Sequence, residues 1–152
     1  MDGRRSPVTI LLVEDNPDHA LLSRHALRAD GVDVVWAKDG HEAIEILHGE
    51  KGHAVAPAPA LILLDVYMPC VGGHEVLAHV KSDARLRMIP VVMLTTSGES
   101  VDIRKSYLAG ANSFVTKPAV FADFAQTVRT IRDYWIGVNR LPDAVPGAAV
   151  TK

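Results

Sequence analysis

The residues able to do chemistry stand at the ends of short apolar runs. Glu14 and Asp15 follow Val8–Val13, and Asp65 follows the apolar Leu61–Leu64. Thr95, Thr96 and Ser97 come after Pro90–Leu94, and Lys117 and Pro118 come after Ser113–Thr116. Three carboxylates brought together repel one another, and their pKa values rise unless cations intervene. Lys117 brings one positive charge; a divalent ion would bring the rest. A few hard oxygen ligands with waters left over describe Mg²⁺. A carboxylate can also act as a nucleophile and form an aspartyl phosphate. Metal, ammonium and hydroxyl groups are what such a step needs to neutralise the phosphoryl oxygens. The set therefore fits phosphoryl capture on an aspartate.

For these groups to meet, the runs must be strands with a common direction. Val8–Val13, Val32–Ala37, Ala60–Leu64, Pro90–Leu94 and Ser113–Thr116 are short and mostly apolar throughout. Such runs suit parallel strands covered by helices on both faces. Flanking Gly, Pro and Asp residues favour strands over short buried helices. Between them lie five amphipathic stretches. Asn16 is a good N-cap with Pro17 at the first helical position. Leu21, Leu22, Ala26 and Leu27 then share a face, and Gly31 stops the helix. A second helix begins after Asp39-Gly40 with Ala43, Ile44 and Leu47, and a third after Gly72-Gly73 with Val76, Leu77 and Val80. A fourth lies near 101–109, ending at Gly110. In the last, Phe121, Phe124, Val128, Ile131 and Trp135 form a stripe at helical period. Five strands alternating with five helices make an open three-layer α/β sheet. The carboxyl ends of its strands lie on one edge, where ligands bind.

The chain has 152 residues, enough for one domain, with 48% hydrophobic and 22% charged side chains. A formal net charge of −2 gives no general attraction for nucleic acid or an anionic membrane. Cys70 is the single cysteine, so no intrachain disulfide can form, and a reducing, cytoplasmic setting follows most simply. No apolar stretch approaches the roughly 20 residues a spanning helix needs. Residues 1–7 read as a flexible start, 49–59 as a surface loop and 139–152 as a tail.

In four motifs the chain resembles the receiver domain of two-component response regulators, over residues 8–138. "LLVEDN" at 11–16 is similar to the acidic pair, and "LLDVYMP" at 63–69 to the phosphoacceptor segment. "VVMLTTS" at 91–97 carries the threonine, "FVTKP" at 114–118 carries the lysine, and Gly73 matches a family glycine. "SYLAGANSFVTKP" and "IRDYWIGVNRLP" further resemble the stand-alone receivers that partner bacterial phytochrome histidine kinases. The resemblance implies a doubly wound, flavodoxin-like sheet of strand order 2-1-3-4-5. It implies that Asp65 takes a phosphoryl group from a sensor histidine kinase, that Asp15 binds Mg²⁺ directly and Glu14 through water, and that the Tyr67 carbonyl adds a ligand. Thr95 would hydrogen-bond the phosphoryl group, Lys117 would pair with it, and Phe114 would act with Thr95 as a switch. The Lys117–Pro118 peptide would be cis.

This chain departs from the common pattern at Glu14, Phe114 and Gly72. Tyr67 and Ser97, two residues past Asp65 and Thr95, flank the route of hydrolytic water, and bulky Tyr67 is expected to slow dephosphorylation. An aspartate-nucleophile phosphatase is the alternative reading, but its usual second carboxylate two residues on is Tyr67 here. A flavodoxin-like cofactor binder would not place Glu14 and Asp15 against a phosphate. The 139–152 segment is too short for a nucleic-acid reader, so no output domain is expected. The chain is thus expected not to turn over external substrates. The seven histidines show no paired ligand spacing and read as surface residues, and Cys70 reads as inert. Tyr134, Trp135, Ile136, Val138 and Leu141 either fold back on the domain or, with Phe114, form a homodimer surface; the dimer is the favoured expectation.

Overall fold

The computed structural model describes residues 7–50 and 58–142. Five parallel strands, β1 (Val8–Val13), β2 (Val32–Ala37), β3 (Leu61–Leu64), β4 (Val91–Thr95) and β5 (Ser113–Thr116), form one sheet in the order β2-β1-β3-β4-β5. The helices between them are α1 (Pro17–Leu27), α2 (Gly40–His48), α3 (Gly73–Ser82), α4 (Ser100–Leu108) and α5 (Phe121–Arg132). A π-helical turn, Asp133–Val138, extends α5.

The central strands are apolar at nearly every position because both faces of the sheet are covered. Alternate residues point to opposite faces. Ile10, Leu12, Leu61, Leu63, Val92 and Leu94 pack with Ala20, Ala26, Leu27, Phe124, Val128 and Ile131 of α1 and α5. Leu11, Val13, Ile62, Leu64, Val91 and Met93 pack with Ala43 of α2 and with Val76, Leu77 and Val80 of α3. Each fully buried side chain of this size contributes about 1.5–3 kcal/mol relative to its exposed state. These two cores hold the strand ends, and so the functional edge, in register.

Local chemistry sets the helix boundaries. The Asn16 side chain accepts from the Asp18 and His19 N–H groups at 2.9 and 3.2 Å, satisfying donors that the first turn leaves open. Asp39 caps α2 through the Glu42 N–H at 2.8 Å. α1 ends at Leu27, short of Gly31, because Arg28 turns to extended backbone. Arg132 of α5 donates to the Ala26 and Arg28 carbonyls at 3.0 and 2.7 Å and closes that end. Gly31 instead provides the left-handed turn (φ 77°) that starts β2.

Two apolar positions lie elsewhere than their spacing suggests. Leu21 is 66% exposed and Phe121 60% exposed. The buried face of α1 is Ala20, Ser23, Ala26 and Leu27, so the small residues meet the sheet and Leu21 lines an open groove against α5. Trp135 and Ile136 fold back on the α1–α5 core. No helix among the described residues is long and apolar enough to cross a membrane. The stretch 1–6, most of the 49–59 loop (51–57) and most of the tail (143–152) lie outside the described residues.

Candidate functional site

Parallel pairing brings the carboxyl ends of all five strands to one edge, and β1 and β3 are neighbours at its centre. Backbone hydrogen bonds fix each site residue to an adjoining strand. The Glu14 N–H donates to Ala37 O, the Asp65 N–H to Val13 O and the Lys117 N–H to Thr95 O, at 3.1, 3.1 and 2.7 Å. The Trp36 indole N–H donates to the Glu14 carbonyl at 2.8 Å.

Side chains separated by a hundred residues thereby converge. Lys117 Nζ lies 2.6 Å from Glu14 Oε2 and 3.2 Å from Asp65 Oδ2. Carboxylate oxygens of Glu14, Asp15 and Asp65 lie within 4.8 Å of one another. Glu14, Asp65, Thr95 and Lys117 are buried, while Asp15 is exposed. The Glu14 carboxyl is pushed up to about 7, by burial first and by the facing Asp65 charge second, against the pull of Lys117. One ammonium does not offset three carboxylates. The all-oxygen donor set and its excess negative charge fit a divalent cation of the hard class. Thr95 ends β4 with its hydroxyl accepting from the Ser97 N–H at 3.4 Å.

A glycine makes the position of Asp65 sterically feasible. A Cβ on Gly73 would lie 2.0 Å from the Asp65 carbonyl oxygen and 2.8 Å from Val66 Cα. The first turn of α3 thus rests directly on the backbone carrying Asp65. Cys70 is exposed in the intervening loop, with φ 68°. The Lys117–Pro118 peptide is not cis; no peptide bond among the described residues is. Trans is favoured before proline by about 0.5–1 kcal/mol. In that form Lys117 already pairs with Thr95 O through its backbone and with both carboxylates through its side chain.

Several relationships had little or no signal in the sequence. The Tyr67 N–H donates to Asp65 Oδ1 at 3.2 Å, while its hydroxyl donates to Asp102 of α4 in a short hydrogen bond. Ser97 Oγ donates to the same carboxylate oxygen of Asp102 at 2.7 Å. These bonds hold the buried Asp102 carboxyl below its usual range, Tyr67 foremost, and raise the Tyr67 phenol. Asp102 thus ties together the two residues expected to flank the water route, although only a five-residue offset from Ser97 hinted at it. His19, read as a surface residue, accepts from Lys117 Nζ at 3.0 Å and sits edge-on to Phe124. Burial, then Lys117, lowers its pKa, consistent with a neutral acceptor ring. His74 meets Ser106 at 2.9 Å, and His48 meets His79 at 2.7 Å.

Of the remaining expected residues, Phe114 is half-buried against the α2–α3 core. Tyr134 and Val138 are exposed and Trp135 is half-buried, so the apolar end both folds back and presents a surface.

The sequence profile of the response regulator receiver domain matches residues 10–129. The chain is 44% identical over 138 residues to the probable methanogenesis regulatory protein FilR2 of Methanothrix harundinacea, covering 90% of this chain and 88% of that one. It is 35% identical over 145 residues to the response regulator Rcp1 of Synechocystis sp., covering 94% and 99%. The crystal structure of the Mn²⁺-bound form of Rcp1 superposes with a TM-score of 0.83, covering 90% and 99% of the two chains. That of the phosphorylated cyanobacterial phytochrome response regulator RcpA superposes with a TM-score of 0.87 at 40% identity, covering 91% and 100%.

Proposed function

The chain belongs to the response regulator receiver family, and from that premise we propose that it is a phosphorylation-driven switch whose acceptor is Asp65. The observation that carries this reading is the placement of Lys117 Nζ between Glu14 and Asp65, with Asp15 beside them. Asp65 Oδ attacks the phosphorus of a phosphohistidine on a sensor kinase. The new P–O bond forms as the P–N bond breaks, and the imidazole leaves with the electron pair. Asp15 would hold Mg²⁺ directly, Glu14 through water, and the Tyr67 carbonyl would complete the protein's ligands; the ion would neutralise charge on the phosphoryl oxygens. Lys117 pairs with one phosphoryl oxygen and the Thr95 hydroxyl donates to another.

The donor is a phytochrome-type histidine kinase in this reading, supported by the likeness to RcpA and Rcp1. A groove of about 550 Å³ between α1 and α5 is lined by the apolar Leu21, Leu22, Ala26, Phe121 and Ala125 and by the polar Asp18, His25 and Arg129. Both helices start at the site edge, so a kinase seated there would bring its phosphohistidine to Asp65. The phosphorylated residue carries about −1.5 to −2 charges. Thr95 is drawn toward it, Phe114 moves into the space left, and the α4–β5–α5 face changes shape. That change alters partner binding or homodimerisation through a surface containing Phe114, Tyr134, Trp135 and Val138. The setting is cytoplasmic, and the output is protein association rather than DNA binding. Turnover of external phosphate esters lacks its acid, because Tyr67 stands in the place of the second carboxylate.

The test is phosphotransfer from a panel of purified, autophosphorylated kinases that includes a phytochrome-type one. Mg²⁺-dependent labelling from that kinase, abolished by Asp65→Asn, is expected. Labelling retained in Asp65→Asn forces another acceptor. Labelling only by a kinase without a light sensor removes the phytochrome pairing and keeps the switch, an outcome compatible with the likeness to FilR2.

A further inference from the structure

At the sheet edge opposite Asp65, the last turns of α2 and α3 bring a second cluster together. His48 closes α2, His79 lies in the last turn of α3, and Asp83 follows α3. One donor atom from each lies within 4.8 Å of the others, and all three residues are half-buried. His48 Nε2 and His79 Nε2 face each other at 2.7 Å, with their rings nearly perpendicular at 84°. We propose that His48, His79 and Asp83 bind one divalent transition-metal ion of the zinc class, independently of the phosphoacceptor site.

The donor set is the first argument. Two imidazole nitrogens and one carboxylate suit Zn²⁺ and its neighbours in the series, whereas Mg²⁺ prefers oxygen alone. Three protein ligands leave a fourth position for water. Rigidity is the second. His79 and Asp83 are four residues apart, so the helical turn brings them to the same side. His48 is held opposite by the packing of α2 against α3, so most of the ordering needed for binding is already in place.

The hydrogen bonds define the state the ion replaces. Arg85 Nη2 donates to His48 Nδ1 at 3.1 Å, so His48 carries its proton on Nε2 and donates to His79 Nε2. Metal–nitrogen bonds of about 2.0–2.1 Å at a tetrahedral angle need the two nitrogens about 3.3 Å apart, a ring shift of a few tenths of an ångström. On binding, the His48 proton moves from Nε2 to Nδ1, and no net proton is lost from that ring. Its new N–H would oppose the Arg85 guanidinium, whose side chain is 71% exposed and free to swing into solvent. Asp83 keeps its negative charge because the Arg85 N–H donates to Oδ1 at 2.8 Å.

The experiment titrates the chelator-treated full chain with Zn²⁺ by calorimetry in excess Mg²⁺, and with Co²⁺ by visible absorption. One Zn²⁺ per chain with a dissociation constant of about 1 μM or below is expected. His48→Gln and His79→Gln should each weaken binding about 100-fold and Asp83→Asn about tenfold. Arg85→Gln should tighten it, since a side-chain carbonyl can accept from Nδ1–H. Asp65→Asn should leave it unchanged. Unfolding midpoints without zinc establish that each variant folds; added zinc should raise the wild-type midpoint and leave that of His79→Gln unmoved. No Zn²⁺ retained at about ten times that concentration, or equal retention by wild type and both histidine variants, overturns the site.

Discussion

Lys117 Nζ stands 2.6 Å from Glu14 Oε2, a buried ion pair between residues 103 apart in sequence. Burial and the Asp65 charge nevertheless leave the Glu14 carboxyl at about 7, above its ordinary 4.5. Folding thus favours the protonated form. In metal-free protein this contribution to stability is full below about pH 4.5 and is lost as the pH rises through about 7. A divalent ion needs the ionised carboxylate, so Mg²⁺ affinity should climb by up to about tenfold per pH unit until about pH 7 and then level off. Glu14→Gln should flatten both profiles. Melting curves with and without Mg²⁺ check the first; Mg²⁺ titration followed by fluorescence of Trp36, whose indole bonds the Glu14 carbonyl, checks the second.

Tyr67, whose N–H meets Asp65, is anchored by Asp102 through its hydroxyl. Tyr67→Asn removes both the ring and the anchor and should speed loss of the phosphoryl group from Asp65, on the order of tenfold, equivalent to about 1.4 kcal/mol in barrier. Tyr67→Phe keeps the ring and loses the hydroxyl, and should fall between. The readout is decay of labelled protein after kinase removal. Equal decay in wild type and Tyr67→Asn would show that the ring does not obstruct water.

Gly73→Ala places a methyl group against backbone, 2.0 Å from the Asp65 carbonyl oxygen. Neither strand nor helix can yield without moving Asp65. The variant should lose about 2–4 kcal/mol of stability and take up label more slowly than its folded fraction accounts for. Gly137→Ala, with nothing within 4 Å, should be nearly neutral. Urea unfolding and phosphotransfer rates on the same preparations decide both.

Trp135 and Val138 separate folding back from self-association. Trp135 packs on the α1–α5 core, and Val138 is 70% exposed. Trp135→Ala should cost about 2–3 kcal/mol in urea unfolding. Val138→Glu should leave monomer stability within about 0.5 kcal/mol and weaken any dimer, as sedimentation with and without phosphorylation would report.

The sequence by itself determined the strands, the five helices and which charged side chains stand at the carboxyl edge of the sheet. Apolar runs buried on two faces have one economical arrangement, and the residues that follow them are carried to its carboxyl edge. Asn16 and Asp39 cap their helices as their side chains dictate, because capping depends on groups only two or three residues away. Other features depend on which elements pack together, and only the tertiary structure decided them. Leu21 faces a groove because small residues of α1 meet the sheet, an outcome periodicity does not distinguish. Asp102 reaches the loop residue Tyr67 from α4, and His48 meets His79 across the α2–α3 contact. Gly73 is required by an approach to Asp65 that no local pattern encodes. The physical reason is the same in each case: spacing along a chain specifies periodic local contacts, whereas meetings between side chains on different elements depend on how those elements pack.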